Sequence, residues 1–108
     1  QREAFEREAR ADIERVLDAA RPEVPWLLED LRAGEIDGLR YDAACSCLKG
    51  TIARHRGVPY SSMVGALAPN SNSPSERWFM PIRRGRTPGN SARVRQTVEW
   101  IEAWQSRQ

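Results

Sequence analysis

The chain has 108 residues, 30% of them charged, and a formal net charge of +2. A chain of this length is expected to form one domain, 1–108, around a single modest core, which excludes a two-domain protein. Its longest apolar run is only a few residues, so the sequence excludes a membrane-spanning helix and a signal-peptide core, and predicts a soluble protein. Because the sequence begins with Gln1 and lacks an initiator Met, we expect it to be trimmed or part of a longer polypeptide.

The charge is divided unevenly between the two halves of the chain. Residues 1–54 carry 9 basic and 12 acidic side chains, a net charge of −3, whereas residues 55–108 carry 8 and 3, a net charge of +5. This asymmetry indicates an acidic half and a basic half, of which the second suits a partner rich in phosphate or carboxylate groups.

Residues 1–21 are predicted to form a charged amphipathic helix, with residues 25–108 as the core of the domain. Apolar residues recur at spacings of three and four, with Glu and Arg between them: Phe5, Ala9, Ile13, Val16, Leu17 and Ala20. The apolar stripe is narrow, which suits either a helix lying on the domain or a connector from an upstream segment.

Two helices are predicted in the middle of the chain. Pro22 and Pro25 interrupt the first pattern, after which residues 26–31 form a short helix that ends at Gly34. Residues 42–57 form a third helix, with Cys45, Leu48 and Ile52 on its inner face.

The last part of the chain is predicted to be helical as well. Residues 59–67 suit a short helix, and residues 68–72 a loop. Ser73, Pro74 and Glu76 form a capping box with Pro at the first helical position, and Pro81 ends or kinks that helix. The final helix starts near Ser91, with an inner stripe of Val94, Val98, Ile101 and Trp104. The sequence therefore predicts an all-α fold, a compact bundle of four to five helices.

The cysteines and the single histidine are the candidates for metal or thiolate chemistry. Cys45 and Cys47 lie two residues apart, so on a helix their side chains point about 200° apart and neither a shared metal nor a disulfide fits. His55 lies about 12 Å further along such a helix. We therefore expect reduced cysteines and no metal or cofactor, and keep a cysteine- or metal-dependent enzyme using Cys45, Cys47 and His55 as the alternative.

Other catalytic constellations are not supported by the sequence. It contains no Gly-x-Ser-x-Gly elbow and no Gly-rich phosphate loop. Paired carboxylates are numerous in the first half, but helix surface charges account for them. No catalytic residue is assigned, and an enzyme is the less favoured class.

The stretch from residue 76 to residue 95 is the candidate binding segment. After Glu76 it contains no acidic residue, and its arginines, with the off-stripe Trp100, are the candidate contact residues: Arg77, Arg83, Arg84, Arg86, Arg93, Arg95 and Trp100. One interpretation is a solvated basic face partly neutralised by residues such as Glu29 and Asp30. The other is a polyanion contact on one face, with stacking from Trp100 or Trp78.

Several separated stretches carry a resemblance: CSCLKGTIA, SPSERWFMPIRRG, TPGN and TVEWIEAW. Over about residues 25–104 the chain resembles a family of uncharacterised phage and prophage proteins of actinobacteria and related hosts, some with pentapeptide repeats ahead of this region. The family pattern has acidic residues where this chain has Ala44 and Arg86, and it implies no established activity. The resemblance implies a protein of the cytoplasm of a bacterial host.

The favoured function is a non-catalytic interaction module of phage or prophage type. Its partner is expected to be nucleic acid or an acidic protein surface, contacted through the basic face, without membrane contact. A structural connector in a larger assembly is the further alternative. The sequence does not indicate an oligomeric state.

Overall fold

The computed structural model describes residues 2–39 and 47–108, which form a helical bundle. The described residues contain five α-helices: α1 (Arg2–Ala19), α2 (Val24–Ala33), α3 (Leu48–Arg56), α4 (Pro74–Phe79) and α5 (Ala92–Ser106). Short 3-10 turns occur at Arg21–Glu23, Tyr60–Ser62 and Gly65–Leu67, and the described part of the chain contains no strand. The predicted all-α bundle is confirmed. None of the helices described is both long and apolar enough to cross a bilayer.

The charged helix α1 is part of the core. Its apolar stripe buries Ala9, Ile13, Val16 and Leu17, and the helix packs against α4 and α5. Apolar spacing thus located the buried face correctly, because residues three and four apart share one side of a helix. The polar residues of α1 form its exposed side.

The helices α2 and α3 end at the two glycines where the sequence predicted their ends. Gly34 (φ 75°) and Gly57 (φ 78°) adopt left-handed backbone, and their N–H groups donate to the last helical carbonyls. The predicted third helix includes Cys47, and this is wrong. This residue has extended backbone and is the N-cap, so α3 begins at Leu48. The other predicted positions, 42–46 including Cys45, lie outside the described residues.

The capping box at α4 is half confirmed. Pro74 is the first helical residue, and the Ser73 hydroxyl accepts a hydrogen bond from Glu76 N at 3.4 Å. The reciprocal half is wrong, because Ser73 N donates to Asn70 O and the Glu76 side chain is buried. Asp12 of α1 accepts from Ser75 N at 2.9 Å instead, so a carboxylate from another helix supplies the second cap.

The segment between α3 and α4 does not form the predicted short helix. It forms two 3-10 turns, and Gly65, the first residue of the second turn, has a φ of 61°, which is incompatible with a continuous right-handed helix. Met63 and Leu67 are buried against the core. The final helix is confirmed: Ser91 is its N-cap, and the whole predicted inner stripe of Val94, Val98, Ile101 and Trp104 is buried.

Candidate functional site

The connection between α4 and α5, residues 82–91, is fixed to the segment that follows α2. Gly38 N donates to Ile82 O at 2.7 Å, and Gly85 N donates to Gly34 O at 2.8 Å. A Cβ atom on Gly38 would lie 1.8 Å from Phe79 O, so only glycine permits this approach. We call residues 82–91 the arginine turn.

Side-chain hydrogen bonds hold the shape of the arginine turn. The Asn90 side-chain amide donates to Gly85 O at 3.1 Å, and its carbonyl oxygen accepts from Thr87 N at 2.8 Å. Asn90 N also donates to Thr87 O. These bonds order the backbone that carries the arginines, which lowers the entropy lost when a partner binds.

Two arginines of the turn form ion pairs with the segment after α2. Arg83 Nε lies 3.0 Å from Asp37 Oδ1, and an Arg84 terminal nitrogen lies 2.8 Å from Glu35 Oε2. Both arginine side chains are about half exposed. The pair of Arg84 with Glu35 is exposed on both sides and contributes little stability, because water screens the charges. The Asp37 side chain is only 9% exposed, so its pair with Arg83 is screened less.

The remaining arginines at this end, Arg86 and Arg95, are exposed and have no carboxylate partner among the described residues. Arg95, on the first turn of α5, donates to the backbone carbonyl of Pro88 at 2.8 Å. Neither Arg86 nor Arg95 has a carboxylate oxygen within 4.0 Å in the part of the chain that the structure describes. The local arrangement therefore leaves exposed positive charge on an ordered backbone.

The other two candidate arginines contact a different region. The Arg77 guanidinium lies 5.1 Å from the ring centre of Phe5, and that of Arg93 lies 3.9 Å from the ring centre of Trp78. The expectation that all six arginines converge on one face is therefore not met. Residues 93 and 95 of one helix point about 200° apart, which separates the two groups.

Trp100 is a core residue. It is 7% exposed, and its ring centre lies 4.6 Å from that of Trp78. The expectation of a ring that stacks on a partner is corrected here, because both tryptophans are buried between α1, α4 and α5. Trp78 Nε1 also donates to Thr97 Oγ1 at 2.8 Å, which fixes that ring.

Glu76 is a fully buried carboxyl group. It is 0% exposed, and neither of its oxygens accepts a hydrogen bond from any described residue. Lys49 Nζ lies 4.0 Å away and donates to Ala68 O at 2.9 Å. Burial raises the pKa of Glu76 to about 7; Lys49 acts in the opposite direction and Asp12 in the same one.

Asp12, which caps α4 from α1, has a lowered pKa. Partial burial acts to raise the pKa of Asp12, but hydrogen bonds from Ser75 and Arg15 outweigh it and lower the value. Asp12 is therefore the charged cap of α4. Glu76, one residue beyond Ser75, retains its proton up to about pH 7 because it is buried.

The candidate thiol and imidazole have separate structural contacts. Cys47 is buried, and its Sγ accepts from Gly50 N at 3.3 Å as the cap of α3. His55, in the last turn of α3, bonds Asp30 at 2.8 Å and stacks on Trp26. Within residues 2–39 and 47–108 no three His, Cys, Asp or Glu side chains form a potential metal site. Cys45 lies outside that range.

Sequence reasoning missed the acidic partners of the arginine turn. It suggested Glu29 and Asp30, but Asp30 bonds Arg54 and His55, and the turn is met by Glu35 and Asp37. Glu35 and Asp37 lie two residues apart in the GEIDG stretch, a spacing that places two side chains on the same side of an extended segment. This spacing is the sequence feature that could have identified them as partners of the turn.

Comparisons with known proteins give no relative from which a function is transferable. No family model, no curated protein and no solved structure matches the chain.

Proposed function

We propose that this chain is a non-catalytic interaction module that contacts a polyanionic partner through the arginine turn and the neighbouring Arg95. The observation that carries the proposal is the exposed positive charge of Arg86 and Arg95, which no described carboxylate neutralises, on a backbone ordered by hydrogen bonds. A guanidinium fork matches both phosphate and carboxylate oxygens, so the turn suits either type of anionic surface.

The contact is expected to read charge rather than base sequence. Stacking on nucleic acid bases needs exposed aromatic rings, and both Trp78 and Trp100 are buried. Arg84 pairs with Glu35 at the surface, where water and salt allow exchange for a partner's anionic group. Arg83 bonds the largely buried Asp37 through Nε and is itself about half exposed. The turn and the neighbouring Arg95 thus offer up to four guanidinium groups to one partner.

The phage or prophage setting, and with it the cytoplasm of a bacterial host, is part of this proposal. It depends on the sequence resemblance over residues 25–104. A catalytic alternative gains no support from the geometry, since Cys47 caps α3 and His55 bonds Asp30.

Salt-dependent binding to duplex DNA tests the proposal. If four phosphates are engaged, log K falls with log salt at a slope of about −3.6, and Arg86→Ala with Arg95→Ala reduces the slope to about −1.8. Fluorescence anisotropy with a labelled duplex between about 50 and about 200 mM salt measures both slopes.

A matched double variant controls for net charge. Arg7→Ala with Arg107→Ala removes the same two charges from positions on α1 and after α5, and should leave the slope near its original value. An acidic peptide measured in the same way tests a protein partner. If neither polyanion binds at low salt, or if the two double variants weaken binding equally, the proposal is wrong.

A further inference from the structure

A cleft of about 340 Å³ opens between the first turns of α1 and α5, apart from the arginine turn. Trp78 of α4 contributes to its lining. The other lining side chains include those of Phe5, Glu6, Ala92, Arg93 and Gln96. Arg2 lies at its edge, with a side chain that is 93% exposed and pairs with Glu6 at 3.6 Å. No residue of the 82–91 turn lines this cleft.

Arg93 is held rigidly in this cleft. Its guanidinium lies over Trp78, with 3.9 Å between its central carbon and the ring centre, and donates to Trp78 O at 3.1 Å. An arginine has five N–H donors, and this bond uses one. The other four meet no acceptor among the residues of known placement. The group is thus ordered while most of its donors stay available.

The surroundings of Arg93 favour an anion. Burial lowers the pKa of its guanidinium, the expected effect when a cation leaves water, while Glu6 raises it and Arg2 lowers it further. No carboxylate oxygen of a described residue lies within 4.0 Å of the guanidinium. A half-buried cation without a close counter-ion is stabilised when an anion binds, since the anion restores the interaction lost with water.

We infer that this cleft binds a small organic acid with a single carboxylate and an apolar body. The carboxylate matches the Arg93 fork and the Gln96 amide, and Phe5 and Ala92 provide apolar contact. The negative charge of Glu6 opposes a dianion such as phosphate. The volume is near the lower limit for ligand sites, about 300 Å³, so the ligand is about as large as one aromatic ring with its carboxylate.

Benzoate is a suitable probe, with benzamide as its neutral analogue. In an NMR titration of the ¹⁵N-labelled protein, benzoate should shift the indole N–H of Trp78, the Arg93 Nε–H and the Gln96 amide with a Kd of about 1 mM, which suits its small size. Benzamide should cause no saturable shift. Equal shifts with both compounds, or none with benzoate, would overturn the inference. So would tighter binding of inorganic phosphate.

Variants locate the binding. Arg93→Lys keeps the charge but loses the fork, and should weaken benzoate binding about tenfold. Ala92→Leu leaves Arg93 unchanged and fills the apolar side of the cleft, so it should weaken binding by a similar factor even if Arg93→Lys disturbs Trp78. Arg95→Ala, outside the cleft, should leave the Kd unchanged. Unaltered affinity in both cleft variants would place the bound benzoate elsewhere and overturn the inference.

Discussion

Two regions of this domain bring opposite charges together in different surroundings. In the interior, Lys49 and Glu76 lie 4.0 Å apart with side chains 4% and 0% exposed. At the surface, Arg84 and Glu35 lie 2.8 Å apart with side chains about half exposed. The longer interior pair carries the greater energetic weight, because low dielectric strengthens its attraction and because each buried charge depends on the other. Separation alone is therefore a poor guide to the importance of an ion pair.

The contrast also assigns the two regions different roles. The interior pair joins α3 to α4 and, through the bond from Lys49 to Ala68 O, to the segment before α4. The surface pair of Arg84 and Glu35 contributes little to stability, so exchanging it for a partner's anion costs little.

Removing the buried cation should have the largest effect. Lys49→Met leaves the ionised Glu76 carboxyl without its counter-ion and removes the bond to Ala68 O, so the free energy of unfolding should fall by about 3–5 kcal/mol above pH 7, where Glu76 is ionised. Urea denaturation measures the loss. Arg84→Met is the surface counterpart and should cost less than about 1 kcal/mol. Similar losses in the two variants would contradict the contrast.

The interior pair should also make stability depend on pH. Glu76 has a pKa of about 7 in the folded protein against an ordinary value of 4.5, so the folded state binds the proton more tightly. The protonated Glu76 therefore contributes up to about 3 kcal/mol to the free energy of unfolding. This contribution is fully present below pH 4.5 and is lost as the pH rises to 7.

Thermal unfolding of the wild type and Glu76→Gln between pH 4.5 and 8 isolates this contribution. The difference in stability between the two proteins should change across that interval, because Gln does not titrate. Asp12, whose pKa is lowered, acts in the opposite sense and below this interval. A constant difference between wild type and variant would show that Glu76 does not titrate there.

The backbone contact that holds the arginine turn should be sensitive to a single methyl group. Gly38→Ala places a Cβ 1.8 Å from Phe79 O, so the two segments must separate and the free energy of unfolding should fall by about 2 kcal/mol. Gly89→Ala is the matched control, since its nearest neighbour would be Thr87 Oγ1 at 3.6 Å, an ordinary contact. Chemical denaturation of both variants gives the comparison, and equal stability would contradict the close approach.

The smallest effect should come from the surface pair itself. A double-mutant cycle of Arg84→Ala and Glu35→Ala should give a coupling energy of about 0.5 kcal/mol, decreasing further in high salt. The same cycle on Lys49 and Glu76 should give a larger coupling that salt changes little. A surface coupling above that of the interior pair would reverse the order argued here.

Local interactions explain why several helix limits were predictable. Gly34 and Gly57 end helices because left-handed backbone suits glycine, and Ser73 with Pro74 starts α4 because the hydroxyl caps free N–H groups. The role of the GEIDG segment was not predictable from local sequence. This segment binds the arginine turn, and that contact joins residues almost fifty positions apart.

Periodicity and capping act within a few residues, so the amino-acid sequence alone was enough to predict the helical class, the buried stripes of α1 and α5 and most helix ends. The partners of the polar groups were set by the tertiary structure. It buried Glu76 beside Lys49 instead of completing a capping box, and it divided the arginines between an exposed turn and an aromatic cleft. The physical reason is that the energy of a charge depends on its desolvation and its counter-ions, and both are set by residues distant in the chain.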